Sequence, residues 1–93
     1  MQKEQILNQL NNISEDKKEK LSILLNKFKQ LKITLSESTL SFAYGFKIIK
    51  LDLGTDMDVL YYEDEDIKDL ETVNLIKDYK YIVSRIERYL RNN

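Results

Sequence analysis

The chain contains neither cysteine nor histidine, and these two absences exclude several classes of function. Without cysteine there is no disulfide framework, no thiolate zinc site and no redox motif. Without histidine, the commonest metal ligand and the base of Ser-His and Cys-His nucleophile systems are missing as well. The chain also has no glycine-rich phosphate loop and no nucleophile elbow. We therefore expect a protein that is not an enzyme and that uses no catalytic residue, cofactor or metal.

Proline is absent too, and there are only two glycines, so flexible linkers are not expected. The 93 residues, 42% of them hydrophobic, fit one compact domain spanning residues 1–93. No stretch approaches the roughly 20 apolar residues that span a bilayer, and the first residues lack the apolar core of a signal peptide. These features predict a cytoplasmic protein without a membrane partner.

Two helices are predicted in the amino-terminal third. Apolar residues recur at helical spacing within residues 2–12. A second apolar stripe predicts a helix over residues 15–31, with Ser14 as its N-cap. The stripe residues that we expect to be buried against the strands are Leu24, Leu25 and Phe28.

From Lys32 the pattern changes to a period of two, which is typical of β-strands. "KITL" predicts a first strand and "LSFAYGFKI" a long second strand, in which Gly45 marks a bend or a bulge. "DVLYYE" predicts a third strand after the turn "LGTDMD". Apolar residues at helical spacing from Ile76 to Leu90 then predict a last helix, which begins between Asp66 and Thr72. The predicted fold class is α+β, with two N-terminal helices, a three-stranded antiparallel β-meander and one long C-terminal helix.

The net charge of -1 hides a strong segregation of charge along the chain. Residues 1–50 carry nine lysines against five acids, and residues 72–93 carry five basic groups against two acids. Between them, residues 51–71 carry one lysine against nine acids, a net charge of -8. The acids are therefore concentrated in one segment of turn, strand and turn.

This acidic segment has two competing interpretations. Alternate residues of a strand lie on one face about 6.6 Å apart, so a row of carboxylates would imitate the phosphates of a nucleic acid, with two tyrosines as apolar anchors. The candidate partner-binding residues are Asp56, Asp58, Tyr61, Tyr62, Glu63, Asp64, Glu65, Asp66 and Asp69. The other interpretation is that the acids favour the N-terminus of the following helix and keep a small protein in solution.

Two other patterns in the sequence suggest a different kind of site. "DLGTDMDVLYYE" places carboxylates at positions 1, 5 and 12, as calcium-binding EF-hand loops do, but it lacks the glycine at position 6 and strands flank it. We therefore predict no calcium site. The last helix carries a basic stripe beside Tyr81 that would follow a nucleic-acid backbone, formed by Lys77, Lys80, Arg88 and Arg91. Because a charged outer face is found on most surface helices, direct nucleic-acid binding is the weaker alternative.

The leading hypothesis is a small protein-binding inhibitor that occludes a host nucleic-acid-binding enzyme through an acidic surface that mimics DNA. An anti-CRISPR-type protein encoded by a phage or mobile element is its most concrete form, with a host defence enzyme as the partner. One alternative is a structural or regulatory module, monomeric or homodimeric, that pairs through its C-terminal helix. The other is a weak nucleic-acid binder that uses the basic face of that helix.

Overall fold

A computed structural model describes residues 3–10, 12–63 and 68–91. The elements follow in the order α1 (Lys3–Gln9), α2 (Glu15–Lys27), β1 (Lys32–Ser36), β2 (Thr39–Tyr44), β3 (Lys47–Asp52), β4 (Asp58–Glu63), β5 (Lys68–Val73) and α3 (Tyr79–Arg91). The α+β class and the antiparallel pairing agree with the sequence prediction. The number of strands and the start of the last helix do not.

The strands form one antiparallel sheet of five strands in the order β1-β2-β3-β4-β5, so the predicted three-stranded meander is wrong. The predicted long second strand is in fact a hairpin, because Gly45 and Phe46 form a two-residue turn between β2 and β3. Gly45 has φ 63° there, a conformation that costs glycine little and other residues more. Apolar residues alternate with polar ones on both sides of this turn with almost no interruption. The sequence pattern therefore predicts one long strand where the chain in fact reverses.

Strand β5 is the second difference. The sequence pattern predicts that these residues belong to the acidic run and to the start of the last helix. In the structure they pair with β4 from Lys68 to Val73. The alternation is hidden because Glu71, on the helix side of the sheet, is polar: Arg85 Nε donates to its Oε1 at 2.9 Å. Helix α3 consequently begins only at Tyr79, later than either predicted start.

A polar turn links β5 to α3. The Asn74 side-chain oxygen accepts hydrogen bonds from the backbone N–H of Ile76 and Lys77 at 3.0 and 2.9 Å, as an N-cap residue does. The Asp78 carboxylate accepts a hydrogen bond from the Asn74 N–H at 2.8 Å. These bonds satisfy backbone donors of the turn that leads from β5 into α3.

The amino-terminal helices are shorter than the sequence pattern predicts, but their caps follow it. The Ser14 hydroxyl accepts from the Lys17 N–H at 3.2 Å, which confirms Ser14 as the N-cap of α2. Helix α2 ends at Lys27, and Phe28 is its C-cap. The three stripe residues predicted to be buried are 0%, 2% and 7% exposed, for Leu24, Leu25 and Phe28 respectively.

All three helices pack on the same face of the sheet. One hydrophobic cluster joins apolar residues of α1, α2 and α3 to the inward-facing residues of all five strands, with Phe28 packed edge-to-face on Phe42 at 5.9 Å between ring centroids. The outward-facing residues are all half-buried or exposed among those whose side chains are described. The fold is therefore a two-layer sandwich with one uncovered sheet surface, which we call the open face.

Candidate functional site: the open face and the acidic strands

The described acids of the candidate site do not form one row. Asp56 is exposed in the connection between β3 and β4, whereas Asp58 is the first residue of β4 and is only 1% exposed. Glu63 is the last residue of β4, and Asp69 lies in β5. The side chains of these two residues lie outside the described part of the structure, as do residues 64–66 entirely, with Asp64, Glu65 and Asp66.

Strand β4 itself separates the two groups of acids. From Asp58 to Glu63 the strand is about 17 Å long, so Asp56 lies toward the opposite end of the sheet from Glu63. Asp58 does not connect them, because its side chain faces the core. The expected continuous row of phosphate-like carboxylates from "DMD" to "YYEDED" is therefore interrupted.

Asp58 belongs to a buried ion pair that links three parts of the chain. Lys17 Nζ of helix α2 lies 2.6 Å from Asp58 Oδ1, and the two side chains are 7% and 1% exposed. The same ammonium donates to the Gly54 carbonyl oxygen at 2.7 Å. Asp58 in turn accepts from the backbone N–H of Gly54 at 3.0 Å and of Leu75 at 2.9 Å. A carboxylate with these partners maintains the fold and is not available to a binding partner.

Gly54 is required by this cluster for a steric reason. A Cβ atom at position 54 would collide with the backbone oxygen of Met57, so the turn closes only around a glycine. The loop that resembled a calcium site is instead closed by a lysine. Within the described residues, no group of three or more acidic side chains is placed to hold a metal ion.

Tyr61 and Tyr62 point to opposite faces of the sheet, because successive strand residues alternate. Tyr62 faces the helices and stacks on Tyr89 of α3, with ring centroids 4.6 Å apart. Lys47 Nζ lies over the other ring of this pair, 5.5 Å from the Tyr89 centroid, and donates to the Tyr89 carbonyl oxygen. Tyr62 is thus a packing residue, and only Tyr61 is on the open face.

Tyr61 lies at the centre of the apolar half of the open face. A row across all five strands consists of Thr34, Ser41, Lys50, Tyr61 and Leu70, each directly paired with the next. Leu70 is 62% exposed. Val59 and Ile48, on the same face, are half-buried. The face therefore changes from hydroxyl side chains on β1 and β2 to apolar side chains on β4 and β5.

Sequence reasoning missed Leu70 because it missed the strand that carries it. The signal was present in "KDLETV", where Leu70 and Thr72 alternate with charged residues. Two acids at the intervening positions made the segment read as a charged turn. The pairing of Tyr61 with Leu70 is the feature of this site that only the structure provides.

The outer side of α3 is polar and basic. Lys80, Arg88 and Arg91 are exposed, and Lys77 is exposed in the turn before the helix. The Tyr81 hydroxyl donates to Glu71, and this hydrogen bond is the main reason that the pKa of Tyr81 is raised above its usual value. The apolar stripe of the helix, formed by Ile82, Val83 and Ile86, is buried in the core of its own chain. The pairing of two copies through this helix would therefore have to use its polar side.

No helix in the described ranges is both long enough and apolar enough to cross a membrane. Comparison with known proteins gives no significant match to a protein family, to a curated sequence or to a solved structure.

Proposed function

We propose that this chain is a small non-catalytic binding protein that docks on a partner protein through the apolar half of its open face. The partner site in this proposal is positively charged and normally holds nucleic acid, so that docking occludes it and inhibits the partner. The observation that supports the proposal is the pair of Tyr61, which is half-buried, and Leu70, which is exposed, on an uncovered sheet face within the most acidic segment of the chain.

The apolar pair supplies the contact. Aromatic side chains are enriched among the residues that dominate binding energy, because they bury a large area at a small cost in conformational entropy. Tyr61 is held between Lys50 and Leu70 by the strand register, so its position is fixed before binding. A preorganised anchor loses less entropy on binding than a flexible one.

In this proposal the acidic residues increase the rate of association with the partner. Residues 51–71 have a net charge of -8, and they form β4, β5 and the connections around them. A large negative charge accelerates the association of a small protein with a basic surface and makes the rate fall as salt rises. Asp58 is excluded from this role because it is paired inside the fold.

The size of the open face favours a transient complex. Five strands about 4.8 Å apart and about 17 to 20 Å long cover roughly 400 Å², which is about half of what each partner buries in a standard stable interface. A permanent dimer through this face alone is therefore disfavoured. A partner that binds more weakly agrees better with these dimensions.

Affinity capture from a lysate of the source cells, followed by mass spectrometry, would identify the partner, and matched variants would test the site. Leu70→Asp should abolish capture, whereas Thr34→Asp should not, because it adds the same charge to the same row at the opposite edge. Nucleic acid bound by the captured protein should compete with the chain. If both variants bind equally, or if nucleic acid fails to compete, the proposal is refuted.

A second test separates the charge from the contact. Amide substitutions at positions 64, 65 and 66 should slow association and flatten its dependence on salt. Tyr61→Ala should instead speed dissociation, since it removes an anchor and leaves the charge unchanged. Equal salt dependence in wild-type and amide variants would contradict the role assigned to the acids.

The basic side of α3 supports nucleic-acid binding as the second candidate function. Its exposed cations lie on the helix side of the sheet, away from the open face. Fluorescence anisotropy with a labelled oligonucleotide would test it, and Arg88→Glu should weaken binding if this face is used. Binding that survives this change would exclude the candidate.

A further inference from the structure

A groove on the helix side of the sheet lies at the end where β2 turns into β3. It has a volume of about 270 Å³ and lies between the C-terminal ends of α2 and α3. Its lining residues are Lys27, Phe28, Gln30, Leu31, Tyr44, Glu87, Leu90 and Arg91. The lining thus combines apolar side chains with polar and charged ones.

The apolar part of the groove continues the core toward the surface. Phe28 is buried, and Leu31 and Leu90 are partly buried against the core. Tyr44, the last residue of β2, is 64% exposed. Beyond it, the turn at Gly45 presents Phe46 with its side chain fully in solvent. Exposed aromatic residues held by a tight turn beside an apolar depression are typical of a binding surface.

The charged part of the groove is a cationic rim. Lys27 lies in the last turn of α2 and is exposed. The Arg91 side chain is 79% exposed and forms an ion pair with Glu87 at 3.6 Å within the same helix. Because a solvent-exposed ion pair of this kind contributes little, the guanidinium can exchange it for another carboxylate.

The lining of the groove indicates which kind of anion fits here. Four of its eight residues are apolar or aromatic, namely Phe28, Leu31, Tyr44 and Leu90, and the depression has a volume of about 270 Å³. The phosphates of a nucleic acid would leave this apolar part uncovered. A peptide segment can cover it with one side chain and place a carboxylate on the cationic rim at the same time.

We propose that the groove binds a segment of a partner protein in which an apolar side chain lies close to a carboxylate. The apolar side chain packs on Phe28, Leu31 and Leu90, beside Tyr44. The carboxylate pairs with Arg91 and Lys27. This site is on the opposite side of the sheet from the open face, so it does not depend on the function proposed for that face.

A random peptide library displayed on phage, selected against the full chain, would test this. The peptides selected should share an apolar residue within a few positions of Asp or Glu, and their fluorescein-labelled forms should bind in solution. Tyr44→Ala and Arg91→Glu should each weaken binding at least about tenfold, the loss expected for an anchor or a charge-assisted hydrogen bond. Arg88→Glu is the matched control, since it makes the same charge change on α3 outside the groove and should leave binding unchanged.

Several outcomes would overturn the proposal. They are a failure to enrich peptides, enrichment of peptides without a carboxylate, and equal losses for the variants at positions 88 and 91. Binding to phosphatidylglycerol-containing vesicles or to a single-stranded oligonucleotide that Arg91→Glu abolishes would assign the groove to a lipid surface or to nucleic acid instead. Melting temperatures of all variants would show that the exposed positions changed binding and not folding.

Discussion

Replacing Asp58 with asparagine tests the buried ion pair between Asp58 and Lys17. The sequence suggested that Asp58 binds a partner, whereas the structure shows it paired inside the fold. The amide keeps the shape of the carboxylate but removes its charge, so the Lys17 ammonium stays buried with only the Gly54 carbonyl as a described partner. An uncompensated buried charge costs about 3 to 5 kcal/mol. A domain of this length has a total stability of about 5 to 14 kcal/mol, so the variant should be strongly destabilised.

The converse change should cost less. In Lys17→Met the carboxylate keeps two backbone donors, Gly54 and Leu75, so we expect a loss of about 1 to 3 kcal/mol. The double variant leaves no buried charge in the cluster. Its loss should therefore be smaller than the sum of the two single losses, by at least about 1 kcal/mol.

Urea denaturation followed by circular dichroism provides the measurement, with the midpoint compared at unchanged slope. Asp56→Asn is the matched control, since it removes the same charge two residues earlier at an exposed position and should change stability by less than about 0.5 kcal/mol. If Asp58→Asn costs less than about 1 kcal/mol, or no more than the control, the ion pair does not stabilise the fold as argued.

Three further predictions concern stability. Phe28→Ala should cost about 3 to 5 kcal/mol in chemical denaturation, because the ring is buried against Phe42; a loss below about 1 kcal/mol would contradict this packing. Gly54→Ala should lower the melting temperature more than Gly45→Ala, since a Cβ at the first position collides with backbone while the second costs about 1 kcal/mol for its positive φ in open space. Tyr62→Ala should lower the melting temperature more than Tyr61→Ala, because Tyr62 stacks on Tyr89 and Tyr61 lies on the open face; the reverse order would show that the strand faces are assigned wrongly.

The parts of the fold that the sequence predicted are those in which local chemistry and tertiary structure agree. The apolar stripe of α2 and the cap at Ser14 are examples, because a helix period and an N-cap are both local signals. The hairpin at Gly45 was missed because one glycine in an alternating pattern indicates a bulge as readily as a turn. Strand β5 was missed because Glu71 is paired by a helix that follows it in sequence, and no local pattern shows such a partner.

The candidate site was predictable in composition and not in geometry. The sequence indicated an acidic segment with two tyrosines, and the structure places one of them, Tyr61, on the open face. It did not show that Asp58 is buried, since that depends on Lys17 lying 41 positions earlier. Carboxylates in a strand look alike in sequence, and only the register and the layer above the strand decide which of them reach solvent.

The pairing order of the sheet and the ion pair below it have different consequences for how the chain folds. Each strand pairs with its neighbour in sequence, so the meander grows by closing short loops. Lys17, in contrast, donates to the carbonyl of Gly54, which lies 37 positions later in the chain. Its ion-pair partner Asp58 accepts a hydrogen bond from the N–H of Leu75, 17 positions after Asp58. We therefore expect the strands to assemble as a local unit before α2 docks. On the ribosome, α1 and α2 emerge before the strands, yet they can pack on the sheet only after the strands have been synthesised.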